Sequence, residues 1–568
     1  MEAKDKYHER PWLKFYPEGV PANVEIPERP LPEIFDEVAE KYSSRAAVIF
    51  YGNKISFGRL KEDIDRFATA LHELGIQKGD KVALYLLNSP QFIIAYFGAL
   101  KAGATLTPIS PVYTSIEVKH QLEDSEARSI VCQDFLYENV ERAGGGLENV
   151  ILTGIGEYLP LSKRLAGKSI LGRYGKMEIP SPQLIESRGF HQFQNLLKKY
   201  PPNPPKIEIN AREDVAVLPY TGGTTGLPKG AVLTHYNLLA CGMQVQAFWP
   251  TFEEGKEVVP ALLPFYHIYG QVVVMLNGLM LGSTLLLFTT PDLEEILSAM
   301  EKYRATVFYS VPTAFQFLKD FDKTDRFNWK GLKMITSGAD TLHESTVKDW
   351  ERRTGAKIIE GYGLTECSAV SHVNPLGRPK DGSFGVPLPN IGAAVVNHET
   401  GEYLPPGEVG ELIIEGPNIM KGYWKREEDT RESLVELDGR TWLRTGDLVR
   451  MDDEGYFYFY DRMKDLIKYK GYSVFAREIE EVLHQHPKVK TAGVLGVPNP
   501  DVGQLIKAIV VLETDARGKV SEEEIIKYCE ENLAHYKVPK IVEFRGELPK
   551  TDVGKVSHRE LREELEEE

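Results

Sequence analysis

Short apolar runs alternate with longer amphipathic segments through the first two-thirds of the chain. Residues 81–87 form one such run, Ser89 and Pro90 are typical of a helix start, and Gly103 is typical of the position after a helix end. The same order of helix and strand returns at residues 293–310. Because this alternation is typical of parallel sheets covered by helices, the pattern predicts an α/β fold.

One apolar stretch, residues 271–288, approaches the length of a membrane span. Asn277 interrupts it, and Gly282 predicts the end of a helix just before an apolar run at 284–288. We therefore predict a buried helix followed by a buried strand, and a soluble protein without a transmembrane segment.

The pattern changes near residue 385, where short strand-like pieces separated by Gly and Pro replace the alternation. From residue 461 a dense charged segment is followed by a predicted helix, two strand-like runs and a further helix, which is enough chain for a small domain. The sequence thus predicts an α/β protein with a large N-terminal domain of layered sheets at 1–460. A β-rich subdomain is predicted within it at 385–460, and a small α+β C-terminal domain at 461–568.

Composition narrows the class of protein. A chain of 568 residues exceeds the size of one hydrophobic core, and a formal net charge of -16 disfavours affinity for nucleic acid. Peripheral membrane contact through a local basic patch stays open. The N-terminus lacks the apolar core of a signal peptide and the cysteines form no C-x-x-C pair, so a cytoplasmic protein with reduced thiols is predicted. The cysteines are Cys132, Cys241, Cys367 and Cys529.

The segment YTGGTTGLPKG, residues 220–230, places glycines, threonines and a lysine between two apolar runs. Glycines let backbone N–H groups converge on an oxyanion, and hydroxyl and ammonium groups add donors, so phosphate is the predicted guest. Pro228 stands where a Walker A loop requires glycine, which excludes that motif. A polar surface loop is the alternative interpretation. The candidate phosphate ligands are Thr221, Gly222, Gly223, Thr224, Thr225 and Lys229.

Residues 360–366, EGYGLTE, follow a strand predicted at 357–359. Their glycines would let a flat ligand lie against the backbone, and Tyr362 offers a ring for stacking. Thr365 and Glu366 could engage phosphate and its Mg²⁺. A strand-ending turn with a hydrogen-bonded glutamate is the alternative.

Two further segments carry charged groups. In WLRTGDL, residues 442–448, Asp447 is predicted to follow a glycine turn, where its carboxylate could accept both hydroxyls of a ribose; an Asx-turn is the alternative. The segment 461–473 concentrates basic residues, and Lys555 follows Gly554 near the C-terminus. A lysine-rich run by itself is typical of a solvated face.

The combination and order of these segments resembles the adenylate-forming superfamily, which comprises acyl-CoA synthetases, adenylation domains of peptide synthetases and luciferases. The resemblance covers nearly the whole chain. Its motifs are the phosphate loop at 220–230, the acyl-pocket motif LPFYHIYG at 263–270, the adenine and acyl wall TSGAD at 336–340 with EGYGLTE at 360–366, the ribose motif LRTGDL at 443–448, the hinge DRMKDLIKYKG at 461–471, and the lysine loop PKTDVGK at 549–555.

This resemblance implies an enzyme that makes a small-molecule carboxylic acid reactive in two steps. The carboxylate attacks the α-phosphorus of ATP and expels pyrophosphate, and the thiol of coenzyme A then attacks the acyl-adenylate and expels AMP. Between the steps a mobile C-terminal domain would rotate about the hinge, with Asp461 at the pivot. ATP, Mg²⁺ and coenzyme A are therefore the expected cofactors and co-substrates.

The resemblance also implies roles for single residues. Lys555 would bridge the substrate carboxylate and the α-phosphate. Thr365 and Glu366 would act at the phosphates, with Mg²⁺ held by Glu366 and Thr224. His267 would gate the passage between acyl pocket and thiol tunnel, with a hydrogen-bonded core histidine as the alternative. The nucleotide would contact Gly338, Ala339, Asp340, Glu360, Gly361, Tyr362, Asp447, Arg462, Lys464 and Lys468, and the pantetheine arm would enter at Lys470 and Gly471.

Departures from the common motifs bear on the substrate. Gly222 stands where many members have serine, a variant similar to fatty acyl-CoA ligases, and Ala476 stands where a proline is common. Because the chain stops soon after Lys555, a fused carrier protein is not expected. The leading hypothesis is an AMP-forming ligase of medium- or long-chain fatty acids.

Three alternatives stay open at this point. They are an aryl-acid ligase of the 4-coumarate type, a stand-alone adenylating enzyme that serves a separate carrier protein, and a nucleotide-binding protein without chemistry. The acyl-chain length depends on packing around Trp249 and residues 244–248, which a sequence does not give. A homodimer is neither required nor excluded.

Overall fold

The computed structural model of the protein describes most of the chain. The described residues are 3–144, 146–160, 189–221, 228–290, 292–340, 342, 344–470, 472–499, 502–551 and 556–567. Six of the predicted site residues lie outside these ranges, namely Gly222, Gly223, Thr224, Thr225, Gly471 and Lys555.

A largely parallel sheet forms the first layer. The Ser89 hydroxyl accepts the Phe92 N–H at 3.4 Å, the helix Pro90–Lys101 follows, and Gly103 leaves it with φ of +78°, as the pattern predicted. Among the described residues of this sheet, the strand Leu233–Thr234 pairs antiparallel with its neighbour, and the other pairs are parallel. The order is Leu233–Thr234, Val215–Val217, Thr105–Pro108, Lys81–Tyr85, Ser129–Gln133, Asn149–Thr153 and His191–Gln192.

Two further sheets make the second layer. The first contains Val258–Ala261, Thr284–Leu287, Ala46–Phe50 and Asn53–Ser56, and the second contains Val307–Ser310, Met334–Ser337, Ile359–Tyr362, His372–Val373 and Val386–Pro387. The apolar stretch at 271–288 lies here as a π-helical segment, Tyr269–Leu276, that continues into the helix Asn277–Met280 and reaches the strand Thr284–Leu287 through Gly282 at φ +69°. The prediction of a buried helix followed by a buried strand is confirmed.

A separate antiparallel sheet follows the layered body. Its strands are Gly392–Val396, Val409–Glu415, Arg440–Met451, Leu434–Leu437 and Phe457–Arg462. The prediction that Asp447 follows a glycine turn is wrong, because Asp447 lies within a single long strand. Gly446 has φ of +69°, and the pairing with the neighbouring strand shifts register at this point. Gly446 therefore marks a β-bulge that re-aims the next side chain.

The last hundred residues build a sheet with its own core. The strands are Tyr472–Val474, Ile467–Tyr469, Gly503–Leu512, Val489–Asn499 and Ile541–Phe544. The helix Ala476–Gln485 buries Ile479 and Leu483 against it, and the helix Glu522–Asn532 buries Ile525 and Cys529. The predicted α+β organisation of this region is observed.

Strands that alternate with helices along the chain and pair largely in parallel confirm the α/β class. None of the helices in the described ranges is both long and apolar enough to cross a membrane. The four cysteines are buried and free of disulfides. The remaining α-helices of the described ranges are Ala3–His8, Leu31–Lys41, Phe57–Glu73, Ser115–Ser125, Tyr137–Ala143, Phe193–Lys199, His235–Phe248, Leu293–Tyr303, Pro312–Asp320, Glu344–Thr354, Glu427–Ser433 and His558–Glu567.

The shorter 3₁₀ segments connect these elements. They are Pro11–Phe15, Asp134–Leu136, Ile155–Tyr158, Thr324–Arg326, Trp329–Gly331, Thr365–Cys367, Met463–Asp465 and His535–Lys537. A two-stranded hairpin, Tyr220–Thr221 with Lys229–Gly230, projects from the first layer.

Candidate active site

One cavity of about 1680 Å³ collects motifs that are far apart in the sequence. Its wall includes residues of the layered body, of the antiparallel sheet and of the C-terminal region. The predicted site residues in this wall are Thr221, Lys229, His267, Gly338, Ala339, Asp340, Glu360, Gly361, Tyr362, Thr365, Glu366, Asp447, Arg462 and Lys464.

The polar floor of the cavity lies at the carboxyl ends of parallel strands, where open α/β sheets place their ligands. The strand Met334–Ser337 ends in the turn Gly338 to Asp340, in which Ala339 adopts a left-handed φ of +68°. A Cβ on Gly338 would lie 3.3 Å from the ring of Tyr269, so a larger residue would crowd this wall.

Residues 360–362 of the EGYG segment lie in a strand, not after one. The strand covers Ile359–Tyr362 and does not end at residue 359, because Thr336 and Ser337 of the neighbouring strand pair with Ile359 and Glu360. Because successive side chains of a strand point to opposite faces of the sheet, the strand conformation determines which residues of Ile359–Tyr362 face the cavity.

Tyr362 and Asp447 form a buried pair. The Tyr362 hydroxyl donates to Oδ2 of Asp447 at 2.6 Å, and its ring packs 4.6 Å from the ring of Phe384. Burial, followed by the charge of Asp447, raises the pKa of Tyr362 well above its usual value, so the phenol stays protonated and remains a donor. Arg462 is the cross-strand partner of Asp447 and approaches Oδ1 with its Nε at 3.4 Å. The carboxylate is thereby oriented from both sides.

Glu366 has a partner that the sequence did not predict. The Tyr423 hydroxyl donates to Oε1 of Glu366 at 2.7 Å, and the ring of Tyr423 lies 5.6 Å from Nζ of Lys229. Lys229 in turn forms an ion pair with Asp429. No local sequence motif predicts these contacts of Tyr423 and Asp429, because they form only when the folded chain brings residues 423–429 beside the hairpin.

His267 is part of the cavity wall. Its Nδ1 accepts the Tyr269 N–H at 3.3 Å, just before the π-helical segment begins. Gly270 permits this tight path, because a Cβ there would lie 2.2 Å from the carbonyl oxygen of Pro264. The same cavity wall contains apolar and aromatic side chains, namely Val245, Trp249, Val273, Tyr309 and Val370.

Charged groups of the C-terminal region close the other side. Burial raises the pKa of Asp461 to about 7, and burial next to Arg462 lowers the pKa of Lys464 to about 8. Arg562 donates to Oδ1 of Asp465 at 2.6 Å and to the carbonyl oxygen of Lys464 at 3.3 Å. These contacts fix the segment after residue 460 against the C-terminal helix.

His558 belongs to the same cluster. Its Nε2 lies 3.0 Å from Oε1 of Glu480, and its Nδ1 lies 4.0 Å from Asp465. Burial alone would lower the pKa of His558, but the charge and hydrogen bond of Glu480, with Asp465 and Asp461 nearby, outweigh it and raise this pKa to about 9. The ion pair therefore stabilises the fold fully below the ordinary pKa of 6.5 and loses its effect as pH rises through about 9.

Replacing His558 with glutamine is expected to lower the free energy of unfolding of the C-terminal region by on the order of 2 kcal/mol near pH 6, and by little near pH 10. Urea unfolding followed by circular dichroism at both pH values measures this difference. His398→Gln, which removes an exposed pair with Glu399 at 3.7 Å, serves as the matched control. An equal loss of stability at both pH values would contradict the assignment.

Two predicted residues lie elsewhere in the described structure. Lys468, in the strand Ile467–Tyr469, and Lys470, just after it, are exposed and are not part of the cavity wall. Their proposed contacts with nucleotide and pantetheine stay predictions.

A large layered body and a small C-terminal unit thus line one cavity with both polar and apolar walls, at the carboxyl ends of strands where α/β proteins bind ligands. The family model described as AMP-binding enzyme matches residues 35–424, and the model described as AMP-binding enzyme C-terminal domain matches residues 478–555. The chain belongs to the AMP-binding enzyme family.

Relatives extend over the full chain. A long-chain-fatty-acid–CoA ligase of Bacillus subtilis (strain 168) is 38% identical over 560 residues, which are 98% of this chain and 98% of that protein. A probable 4-coumarate–CoA ligase of Dictyostelium discoideum is 31% identical, with 95% of this chain and 96% of that protein covered.

Solved structures agree in fold. The ATP-bound crystal structure of MatB from Rhodopseudomonas palustris matches with a TM-score of 0.81 at 28% identity, covering 94% of this chain and 98% of that one. The apo structure of the same protein, with the same identity and coverage, matches with a TM-score of 0.70. The arrangement of this chain is therefore closer to that of the ATP-bound structure.

Proposed function

We propose that the protein is an AMP-forming acid–CoA ligase that acts on medium- or long-chain fatty acids. The observation that carries the proposal is that one cavity is lined both by apolar and aromatic side chains, such as Val273 and Trp249, and by polar groups that include Glu366 and Asp447. An acid with a long apolar chain could thus bury its chain while its carboxylate reaches a nucleotide. The full-length relatives named as fatty acid ligases support the same substrate class.

The first step brings two anions together. The substrate carboxylate attacks the α-phosphorus of ATP, a new C–O–P linkage forms, and pyrophosphate leaves with its electron pair. Such a step needs positive charge and hydrogen-bond donors that are fixed in advance and shielded from water. We assign the leaving phosphates to the loop at 220–230, the ribose to Asp447 and Arg462, and the bridging cation to Lys555, which follows the cavity-lining Thr551 in the chain.

Magnesium fits the donor set of the cavity. Mg²⁺ prefers oxygen ligands and is commonly held by one or two carboxylates together with substrate phosphates. Glu366 presents such a carboxylate, oriented by the Tyr423 hydroxyl, on the 3₁₀ segment Thr365–Cys367. Thr224 is the second ligand we propose. The ion, when bound, would neutralise phosphate charge, while Tyr423 and Lys229 keep the surrounding groups in place.

The second step requires a thiol to reach the adenylate. We propose that residues 461–568 form a lid domain that pivots at Asp461 and withdraws the lysine loop before coenzyme A enters. The separate core of this region, built around Ile467, Val494 and Ile506, supports its movement as a unit. Lys470 and Gly471, carried by the moving region, would then meet the pantetheine arm. The thiolate attacks the acyl carbon, and AMP leaves.

An aryl-acid ligase is the second candidate. The relative named as a probable 4-coumarate–CoA ligase favours it, as do the aromatic side chains of Trp249 and Tyr309 in the apolar wall. A planar ring would fill a short pocket, whereas an alkyl chain needs depth behind Trp249, which is 2% exposed.

A substrate screen decides between these functions. We expect coenzyme A-dependent AMP release to rise with chain length among saturated acids of about two to eighteen carbons, with the best of them at least about tenfold above 4-coumarate in kcat/KM, because each buried methylene adds transfer free energy. The measurement is coupled detection of AMP with ATP and coenzyme A in excess. Preference for 4-coumarate would support the second candidate, and activity with neither class would refute both.

A further inference from the structure

A very short antiparallel ladder forms the base of the proposed phosphate loop. Tyr220–Thr221 pairs antiparallel with Lys229–Gly230, with Tyr220 opposite Gly230. An isolated hairpin is marginally stable at best, and this one is two residues long on each side. We define Tyr220, Thr221 and residues 228–230 as the loop base, whose position must therefore depend on contacts with neighbouring segments.

The helix Ser115–Ser125 holds the base from one side. Oδ2 of Asp124 accepts the Tyr220 hydroxyl at 2.7 Å. Nε2 of His120 lies 3.1 Å from the carbonyl oxygen of Pro228, which can only accept, so this nitrogen carries the proton. One helix thus contacts both strands of the loop base.

The segment 423–426 holds the base from the other side and meets the same carboxylate. Arg426 donates to Oδ1 of Asp124 at 2.6 Å, and the indole N–H of Trp424 donates to the Asp124 carbonyl oxygen at 3.2 Å. The backbone N–H of Trp424 donates to the Gly230 carbonyl oxygen at 2.8 Å. The Asp124 side chain is 12% exposed, and its two oxygens accept hydrogen bonds from two separate segments of the chain.

This junction connects the groups proposed to act on phosphate. The segment that Asp124 anchors also carries Tyr423, which donates to Glu366, and it leads to Asp429, which pairs with Lys229. Donors that stabilise phosphate charge must be preorganised, since reorganisation during the reaction would cost part of their effect. Asp124 itself is not among the described residues of the cavity wall.

We propose that Asp124 is a positioning residue for nucleotide binding, whose carboxylate fixes the base of the phosphate loop against the segment 423–426. The inference rests on the proposed role of residues 220–230 as the phosphate loop. Asp124 acts through Tyr220 and Arg426 and does not touch the nucleotide.

Replacing Asp124 with asparagine tests the inference. The amide carries no charge and replaces one of the two acceptor oxygens with a donor, so the ion pair with Arg426 is lost and the Tyr220 hydroxyl can no longer share the site as a donor. We expect the KM for ATP in acid-dependent ATP–pyrophosphate exchange to rise by about tenfold, while thioester formation from supplied acyl-adenylate and coenzyme A stays within about twofold. The melting temperature should fall by less than about 3 °C.

Two further variants separate positioning from general stability. Tyr220→Phe removes a single hydroxyl and should raise the KM for ATP by about threefold, and adding it to Asp124→Asn should give less than the product of the two effects. Asp124→Glu keeps both acceptor oxygens and should recover part of the affinity. Asp325→Asn, at a surface aspartate bonded to Arg353 at 2.6 Å, is the matched control and should leave the KM unchanged.

The outcomes are distinguishable. An unchanged KM for ATP in both Asp124→Asn and Tyr220→Phe would overturn the positioning role, and so would an equal loss of both half-reactions together with a lower melting temperature. If the unaltered protein shows no exchange with any acid, the proposed function fails instead.

Discussion

Lys555→Ala is expected to lower the rate of acyl-adenylate formation by at least about a hundredfold, because it removes the cation that we place between two reacting anions. Conversion of supplied acyl-adenylate and coenzyme A to the thioester should stay within about threefold, since that step does not bring a carboxylate to a phosphate. ATP–pyrophosphate exchange measures the first half-reaction, and thioester formation measures the second.

Lys527→Ala is the matched control for this prediction. Lys527 is exposed on the helix Glu522–Asn532 of the same C-terminal region, so its removal changes the net charge equally. It should leave both half-reactions unaltered. If Lys555→Ala lost both half-reactions to the same degree, the lysine would not have the role we assign to it.

Glu366→Gln is the second substitution with a large expected effect. Glutamine preserves the shape and an acceptor for the Tyr423 hydroxyl, which lies 2.7 Å from Oε1, but it removes the charge proposed to hold Mg²⁺. We expect adenylation to slow by about a hundredfold or more and the Mg²⁺ concentration for half-maximal rate to rise by about tenfold. Exchange assays over a range of Mg²⁺ concentrations give both quantities.

Two further variants, Tyr423→Phe and Glu62→Gln, make the test of the second prediction more specific. Tyr423→Phe keeps the carboxylate and loses its hydrogen bond, so a smaller effect of about tenfold is expected. Glu62 forms a surface pair with Arg66 at 2.8 Å, and its replacement should change neither rate nor Mg²⁺ dependence. A Mg²⁺ dependence in Glu366→Gln equal to that of the unaltered protein would exclude a metal ligand at this position.

Local patterns in the sequence predicted much of the fold. The helix Leu293–Tyr303 lies within the helix and strand predicted at 293–310, and the helix Glu522–Asn532 is the further helix predicted after residue 461, because hydrophobic periodicity and capping residues act within a few turns of chain. The bulge at Gly446 was missed for the opposite reason: it arises from the pairing of Arg440–Met451 with Val409–Glu415, and such long-range pairing leaves no local signal.

The same distinction between local patterns and long-range contacts applies to the candidate site. Residue types alone suggested a phosphate cradle at 220–230, because glycine backbone, hydroxyls and a lysine suit an oxyanion wherever they occur together. The sequence did not show that Lys229 pairs with Asp429, two hundred residues away, or that Tyr423 orients Glu366. It also gave no reason to expect that Lys468 is exposed and lies outside the cavity wall.

By itself, the sequence of this protein determined the α/β layers, the order of the motifs and the polar groups available to a nucleotide. Only the tertiary structure decided which of those groups meet, as it does where Asp124 contacts Tyr220 and Arg426, the latter 302 positions away in the chain. The physical reason is the range of the forces involved. Helix and strand patterns are set by neighbours along the chain, whereas hydrogen bonds and ion pairs form between whatever groups the packed core brings within about 3 Å.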